Sequence, residues 1–336
     1  MKGIEFAHVL ARRLIDLQNA DGGWAASGAG GSATEPTSWA LRALESIARD
    51  PELETALSAA REPGGNASMA ESRRKAIAWL TTRQFASGSW PISDEVAESG
   101  ASTAIAALAL ADCPEPELGE RAIDGVEWLL EHRGNRVPWY LNLYWRWKPE
   151  VRPWEYDLGI RGWSWAPGLW GFIEPTSIAV ILLKTMETRL ARLSVREAID
   201  EGEAFLVDRS CPTGGWNYGI GRSHEEDLWP YPDTTAFALL ALGPERPDEA
   251  VAEGLVALHR MLECPVSRLT TALGILTFER FGLDAEELRH RLVEEWADPF
   301  PPPTTRTLAL SLMAARGDRI GAAGRTGSAS ERAGHG

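Results

Sequence analysis

A short motif recurs three times in this chain and constrains its fold more than any other feature. It reads Gln-x-x-x-Gly-x-Trp over residues 18–24 and 84–90, and a third copy over 210–216 has Ser210 in place of the glutamine. Each copy follows a predicted amphipathic helix and precedes a helix of small residues. A turn that recurs between the same two kinds of helix predicts a repeated two-helix unit.

Hydrophobic periodicity predicts two kinds of helix in alternation. The first kind has one charged face and is predicted over residues 6–19, 69–84, 120–133, 195–208, 248–262 and 284–296. The second kind is nearly uncharged and is predicted over residues 36–47, 101–112, 175–186, 233–242, 269–278 and 304–314. Helices with one polar face suit a surface, whereas helices that are apolar all round belong in an interior. Six outer and six inner helices predict an all-α fold, an α6/α6 toroid, with a superhelical solenoid of helix pairs as the alternative.

The predicted toroid forms a single domain over residues 2–316. Its third repeat carries an insertion over residues 135–172, which contains seven of the 15 tryptophans of the chain. A stretch rich in Gly, Pro and Ala over residues 51–68 predicts a loop. Residues 317–336 are small and polar, which predicts a disordered tail.

The composition excludes several classes of protein. Acidic residues outnumber basic ones by 48 to 34, for a formal net charge of -14, so the chain should repel nucleic acid. No run approaches the roughly 20 apolar residues of a transmembrane helix. The three cysteines are widely spaced and predict free thiols in the cytoplasm. Because no metal-ligand spacing and no nucleotide-binding motif is present, neither a metal nor another cofactor is expected.

One carboxylate stands out among the predicted starts of the inner helices. When the Thr/Ser pairs of those starts are aligned, the position of Asp233 holds, in the other repeats, Pro36, Ala101, Pro175, Leu269 and Pro303. An aspartate at a helix N-terminus is favoured by the helix dipole, which is one explanation. The other is a general acid, because the inner N-termini gather at one end of a toroid. We therefore predict that Asp233 is catalytic.

The repeated turn resembles the QW repeat of the squalene-cyclase and protein-prenyltransferase superfamily, whose members are α/α toroids. The string from Tyr231 to Ala236 resembles the protonating motif of class II terpene cyclases, although Tyr231 and Thr234 replace its flanking acids. The resemblance implies that Asp233 protonates an apolar isoprenoid and starts a cationic ring closure without a metal. Class II cyclases have two toroids, so a homodimer or a partner chain is expected to close the cavity.

Aromatic and acidic residues are predicted to bind substrate around Asp233. These candidates are Trp163, Trp165, Trp170, Trp229, Tyr231, Glu35 and Glu174. Aromatic faces stabilise cations and stack on flat apolar ligands or sugar rings. The alternative is that the tryptophans of the insertion only seal the end of the barrel. The glutamates, together with Glu98, form an acidic rim whose alternative role is to complement helix dipoles.

Three functional hypotheses follow. The first is a protonation-initiated, terpenoid-cyclase-like enzyme with Asp233 as the acid and an aromatic-lined cavity. The second is a non-catalytic toroid that binds an isoprenoid or a protein partner. The third is a glycan-processing α6/α6 enzyme, which needs two carboxylates and for which Asp233 and Glu174 are the only pair we would choose.

Overall fold

The computed structural model describes residues 3–49, 68–93, 96–149, 156–223, 226–298 and 302–316. The predicted tail over 317–336 lies outside these residues, as does the predicted loop apart from Ser68. Within the described residues the chain forms thirteen α-helices and two short antiparallel hairpins. None of the described helices is both long enough and apolar enough to cross a membrane.

Six helices form the outer layer: α1 (Gly3–Asp16), α3 (Met69–Arg83), α5 (Pro116–Glu131), α8 (Leu193–Asp208), α10 (Glu249–Leu262) and α12 (Glu286–Glu295). Six form the inner layer: α2 (Thr34–Ala48), α4 (Gly100–Ala111), α7 (Ile173–Leu190), α9 (Pro232–Leu242), α11 (Arg268–Arg280) and α13 (Thr305–Arg316). The hairpins pair β1 (Pro91–Ser93) with β2 (Val96–Glu98) and β3 (Arg222–Ser223) with β4 (Glu226–Asp227).

The inner helices close into a ring. Each of α2, α4, α7, α9 and α11 packs against the next inner helix, and α13 packs against both α11 and α2. Each outer helix packs on the inner helix that precedes it in the chain, and α1 packs on α13. Closure of the ring confirms the α6/α6 toroid and distinguishes it from the open solenoid. Since one outer helix separates successive inner helices, all six inner helices run in the same direction.

All twelve predicted helices are present, with ends displaced by at most a few residues. Within the insertion, Trp139–Trp147 forms a short additional helix, α6. The inner helices α4 and α9 are buried on every side, as their nearly uncharged sequences predict.

The tryptophans of the repeated turn are buried, and their hydrogen bonds link the outer helices to the inner helices. The indole Nε1–H of Trp24 donates to the carbonyl of Leu14 at 2.8 Å, and that of Trp90 donates to Leu80 at the same distance. The backbone N–H of Trp24 also donates to Oγ1 of Thr37 in the next inner helix, at 2.9 Å. These bonds show that the turn has a structural role. It provides hydrogen-bond partners for the buried tryptophan and joins that residue to the start of the inner helix.

The third repeat has an equivalent tryptophan, Trp163, but the insertion changes the spacing before it, so the sequence motif does not include it. Trp163 donates through its backbone N–H to Thr176 and through Nε1 to the carbonyl of Leu129, both at 2.9 Å. Leu129 lies 34 residues away, whereas the corresponding carbonyl in the neighbouring repeats lies 10 residues away. The insertion is therefore accommodated within this one turn.

The glutamine of the motif joins each turn to the following outer helix. Nε2 of Gln18 donates to the carbonyls of Gly22 and Ser72, at 2.8 and 2.9 Å. Nε2 of Gln84 makes the equivalent bonds to Gly88 and Arg121. Gly88 has a φ of +92°, and an added Cβ would lie 2.4 Å from a backbone oxygen, which explains why the motif requires glycine here.

Candidate active site

A shared hydrogen bond fixes the register of the inner helices at the end where they begin, which we call the mouth. In four repeats the backbone N–H of the buried tryptophan donates to a threonine Oγ1 at 2.9–3.0 Å, and these threonines are Thr37, Thr103, Thr176 and Thr235. Each is the fourth residue of its helix. Positions counted from the helix start are therefore structurally equivalent.

This register corrects the alignment made from the Thr/Ser pairs. That alignment set Asp233 beside Pro36 and Pro175, whereas the bonded threonines set it beside Glu35 and Glu174. The pairs mislead because the bonded threonine is the first hydroxyl residue of the pair in α2 and α7 but the second in α4 and α9. Asp233 is thus one of three carboxylates at one repeat position and not an exception to the pattern.

The second residues of the six inner helices form what we call the N2 ring. Its members, in chain order, are Glu35, Ala101, Glu174, Asp233, Leu269 and Arg306. Three carboxylates and one arginine therefore occur at one level of the mouth. The sequence-based alignment missed Arg306, although it is a basic residue in the first turn of a helix that is otherwise uncharged until its last residue.

Arg306 reaches across the axis of the toroid. Its Nη1 lies 3.0 Å from Oε1 of Glu35 on the adjacent helix and 2.7 Å from Oε1 of Glu174. Helices α13 and α7 are the sixth and third inner helices, so the second contact joins opposite sides of the ring. The Arg306 side chain therefore closes the centre of the mouth and connects two of the three carboxylates.

Two aromatic rings lie beneath this guanidinium. The Cζ atom of Arg306 is 5.8 Å from the ring centroid of Trp39 and 5.0 Å from that of Phe237. Both rings are buried, with their centroids 6.2 Å apart. Cation–π contacts at these distances favour the charged arginine, and they place an apolar floor under the charged cluster.

The environment favours a proton on Glu174. Burial raises the pKa of its carboxyl above the ordinary value of 4.5, and the negative charges of Glu35 and Asp233 raise it further, although Arg306 opposes them. For Arg306, burial lowers the pKa, but the surrounding carboxylates outweigh it and the net shift is upward. The arginine stays charged, and the pKa of Glu174 moves toward that of a useful general acid.

Asp233 lies on the side of the ring that faces α11. Its Oδ1 accepts a hydrogen bond of 2.6 Å from Oγ1 of Thr270, the residue after the ring member Leu269. A cavity of about 340 Å³ lies beside Leu269, between the starts of α11 and α13. The residues that line it are Val266, Ser267, Arg268, Leu269, Glu295, Asp298, Pro302, Pro303, Thr304 and Thr307. Its volume falls within the range of small-molecule sites.

The predicted aromatic residues divide into two groups. Trp163 is fully buried in the scaffold described above and presents no surface to a ligand. Trp165, Trp170, Trp229 and Tyr231 are exposed in the segments that lead into the inner helices. The ring of Tyr231 lies 5.1 Å from that of Tyr218, a neighbour that the sequence did not indicate. The insertion therefore both contributes to the scaffold and leaves aromatic surface exposed at the mouth.

Only two of the three glutamates of the predicted acidic rim contact Arg306. Glu35 and Glu174 share Arg306, but Glu98 accepts hydrogen bonds from the hydroxyls of Ser87 and Ser89, each at 2.8 Å. Those two bonds lower the pKa of Glu98, so it stays ionised in its own turn. No group of His, Cys, Asp and Glu in the described part of the chain has an arrangement that could bind a metal ion.

The chain matches no protein-family model and no curated protein. Its fold is similar to several solved structures. An inactive variant of the α-1,6-mannanase GH76A from a Salegentibacter species, in complex with α-1,6-mannotriose, has a TM-score of 0.61 at 11% identity, covering 94% of this chain and 98% of that one. The endo-β-1,4-glucanase CMCax from Acetobacter xylinum has a TM-score of 0.54 at 14% identity, with 94% and 98% covered.

A type II terpene cyclase is also similar. A variant of MstE from Scytonema, in complex with its substrate geranylgeranyl dihydroxybenzoate, has a TM-score of 0.56 at 13% identity, covering 94% of this chain and 97% of that one. The present chain therefore covers nearly all of that cyclase chain. At these identities the comparisons establish a shared α/α toroid fold.

Proposed function

We propose that this chain is a terpenoid-cyclase-like enzyme whose N2 ring supplies the proton that initiates cyclisation of an isoprenoid. The observation that carries the proposal is the convergence of Glu35, Glu174 and Asp233 around Arg306 at an aromatic mouth. Protonation of an alkene or epoxide requires a carboxyl group that keeps its proton near neutral pH. Burial and like charges raise the pKa of Glu174, which lies in the same ring as the Asp233 predicted from sequence.

The same cluster can also stabilise the carbocation that protonation of the substrate creates. Three carboxylates face one guanidinium, so the cluster keeps an excess of negative charge when all four groups are ionised. Negative charge that is already in place stabilises a developing cation without reorganisation, most strongly where water is excluded. The exposed rings of Tyr231 and Trp229 add quadrupole stabilisation of roughly 0.5–2 kcal/mol each once they are desolvated.

The apolar part of the substrate is placed in the cavity between α11 and α13. Its walls include Val266, Leu269 and Pro303, and Leu269 is adjacent to the Thr270 that holds Asp233. An isoprenoid in this cavity would approach the N2 ring from the side of Asp233. MstE, which shares the fold and is solved with a geranylgeranyl substrate, supports this substrate class. The expectation of a homodimer or a partner chain stays a prediction.

A second candidate is a glycan-processing enzyme. It is favoured by Trp165, Trp170 and Trp229 at the mouth, whose exposed rings could stack on sugars. Glu174 as the acid and Asp233 as the second carboxylate give the pair that glycoside hydrolysis needs. If a ligand binds but is neither cyclised nor hydrolysed, the protein is a non-catalytic binding toroid.

The test is product analysis with two substrate panels. Wild type is incubated with squalene, geranylgeranyl diphosphate and a geranylgeranylated aromatic acid, and separately with α-1,6-mannan and β-1,4-glucan oligosaccharides. Asp233→Asn and Glu174→Gln are the active-site variants. Glu98→Gln is the matched control, because Glu98 also sits at the mouth but outside the charged cluster. Cyclised products from wild type and the control, but from neither variant, support the proposal, whereas shortened oligosaccharides overturn it.

A further inference from the structure

The helix within the insertion carries an apolar surface that the proposed site does not use. Helix α6 exposes a continuous stripe at i, i+1, i+4, i+5 and i+8, made of Trp139, Tyr140, Leu143, Tyr144 and Trp147. The side chains of Trp139 and Trp147 are 77% and 84% exposed. Isolated exposed apolar residues are ordinary, but a stripe of this composition on one helix marks an interaction surface.

A backbone hydrogen bond joins the segment just before this helix to a neighbouring turn. The backbone N–H of Asn135, just before α6, donates to the carbonyl of Leu169 at 2.9 Å. Leu169 and Trp170 in that turn are both 45% exposed. The turn and the helix are thus connected at the base of the insertion. Because Trp170 belongs to the aromatic residues of the mouth, we call only the five exposed residues of α6 the aromatic face.

This segment is basic, although the chain as a whole is acidic. The chain carries a formal net charge of -14, yet residues 134–149 contain no acidic residue and three basic ones, Arg136, Arg146 and Lys148. Arg136 and Arg146 are exposed beside the aromatic face. Tryptophan, tyrosine and leucine next to arginine, without carboxylates, are typical of helices that lie in the interface of a phospholipid bilayer.

We propose that the aromatic face binds the headgroup–acyl boundary of a phospholipid membrane, with α6 lying in the plane of the interface. Nine residues make a helix of about 13 Å, which is suited to lying on a bilayer rather than crossing it. The exposed rings enter the boundary region, and Arg136 and Arg146 contact lipid phosphates. No residue of the aromatic face belongs to the N2 ring, so the inference does not depend on the proposed reaction.

Two other occupants fit the aromatic face less well. A second copy of the chain would need a contact of about 20–30 residues per partner for a stable interface, and the stripe offers five. A neutral glycan would stack on the rings but would leave Leu143, Arg136 and Arg146 without matching groups. A bilayer interface satisfies the apolar and the basic residues together.

The test is sedimentation of the full-length protein with phosphatidylcholine vesicles. Trp139→Gln combined with Trp147→Gln should weaken vesicle binding at least roughly tenfold, because burial of each large side chain contributes more than a factor of ten. Leu193→Gln combined with Val256→Gln is the matched control, since both residues are strongly exposed on outer helices. The control pair should bind vesicles as wild type does.

Three results would overturn the inference. The first is a wild type that stays in the supernatant with vesicles. The second is an equal effect of the two double variants, which would mean that binding is unspecific. The third is wild type that self-associates or binds insoluble polysaccharide through the same two tryptophans instead of vesicles. Turnover of detergent-dispersed substrate should be unchanged in both double variants, which separates this surface from the active site.

Discussion

The guanidinium of Arg306 and the carboxyl of Glu174 meet across the axis of the toroid, with Nη1 and Oε1 2.7 Å apart. Both are second residues of inner helices, on opposite sides of the ring. Because Arg306 also contacts Glu35, its removal would leave two carboxylates without their cation. The contact is therefore structural as well as electrostatic.

The first prediction concerns this contact. Arg306→Ala should lower the free energy of unfolding by about 2–4 kcal/mol at neutral pH, because partly buried carboxylates would lose their partner. The loss should shrink in acid, where those carboxylates take up protons. Urea unfolding at two pH values measures both effects. Arg196→Ala is the control, since Arg196 pairs with Glu187 on the exposed surface and its removal should change little.

The second prediction concerns the tryptophan–threonine bond that sets the register. Thr176→Val keeps the shape of the side chain but removes the acceptor of the buried Trp163 N–H. The free energy of unfolding should fall by about 1–3 kcal/mol, the cost of an unsatisfied buried donor. Thr185→Val in the same helix is the control, because the Thr185 hydroxyl bonds only the carbonyl of Ile181, which is available to the helix backbone as well. Equal effects of the two changes would contradict this role.

The third prediction concerns the glycine of the repeated turn. Gly88→Ala should destabilise the protein by about 1–3 kcal/mol or more, because the positive φ is strained for alanine and its Cβ would meet the backbone of Asp124. Gly31→Ala should be nearly neutral, since no atom lies within 4 Å of its added Cβ. Thermal unfolding of the two variants compares them directly. A neutral Gly88→Ala would show that the turn can relax.

Much of the fold could be predicted from sequence because the two patterns that define it each lie within a short stretch of the chain. Charge on one face separates the outer helices from the inner ones, and the Gly-x-Trp turn marks where they join. The motif does not include Trp163, because the insertion separates this tryptophan from the preceding outer helix, α5. A different spacing would have found it, since Trp24, Trp90 and Trp163 each precede their bonded threonine by 13 residues.

The candidate site was only partly predictable. Asp233, Glu35 and Glu174 were selected, but aligning hydroxyl pairs shifted the repeats of α2 and α7 by one residue and that of α13 by three, which concealed the equivalence. Arg306 was missed because its partners lie up to 271 residues away in sequence, and only closure of the ring brings them together. Counting from the helix starts that the structure shows, and not from the predicted ones, places Arg306 at the same position as the three carboxylates.

The fourth prediction concerns pH. The pKa of Glu174 is raised by burial and by neighbouring carboxylates, so its proton is bound below that raised value and lost above it. The folded state holds more protons than the unfolded state between pH 4.5 and the raised value, so this contribution to stability is lost as pH rises through that window. If Glu174 donates the proton, kcat/KM should fall over the same window. Glu174→Gln should abolish the pH dependence of stability that comes from this group.

The most direct test of the central claim is mass-spectrometric product analysis after incubation with geranylgeranyl and squalene substrates. The account predicts cyclised product from wild type and from Glu98→Gln, and at least a roughly hundredfold loss in Asp233→Asn or Glu174→Gln, in line with the contribution of a general acid. Circular dichroism and urea unfolding confirm that both variants are folded. Full turnover in both folded variants, or cleavage of oligosaccharides with no cyclised product from wild type, would contradict the account.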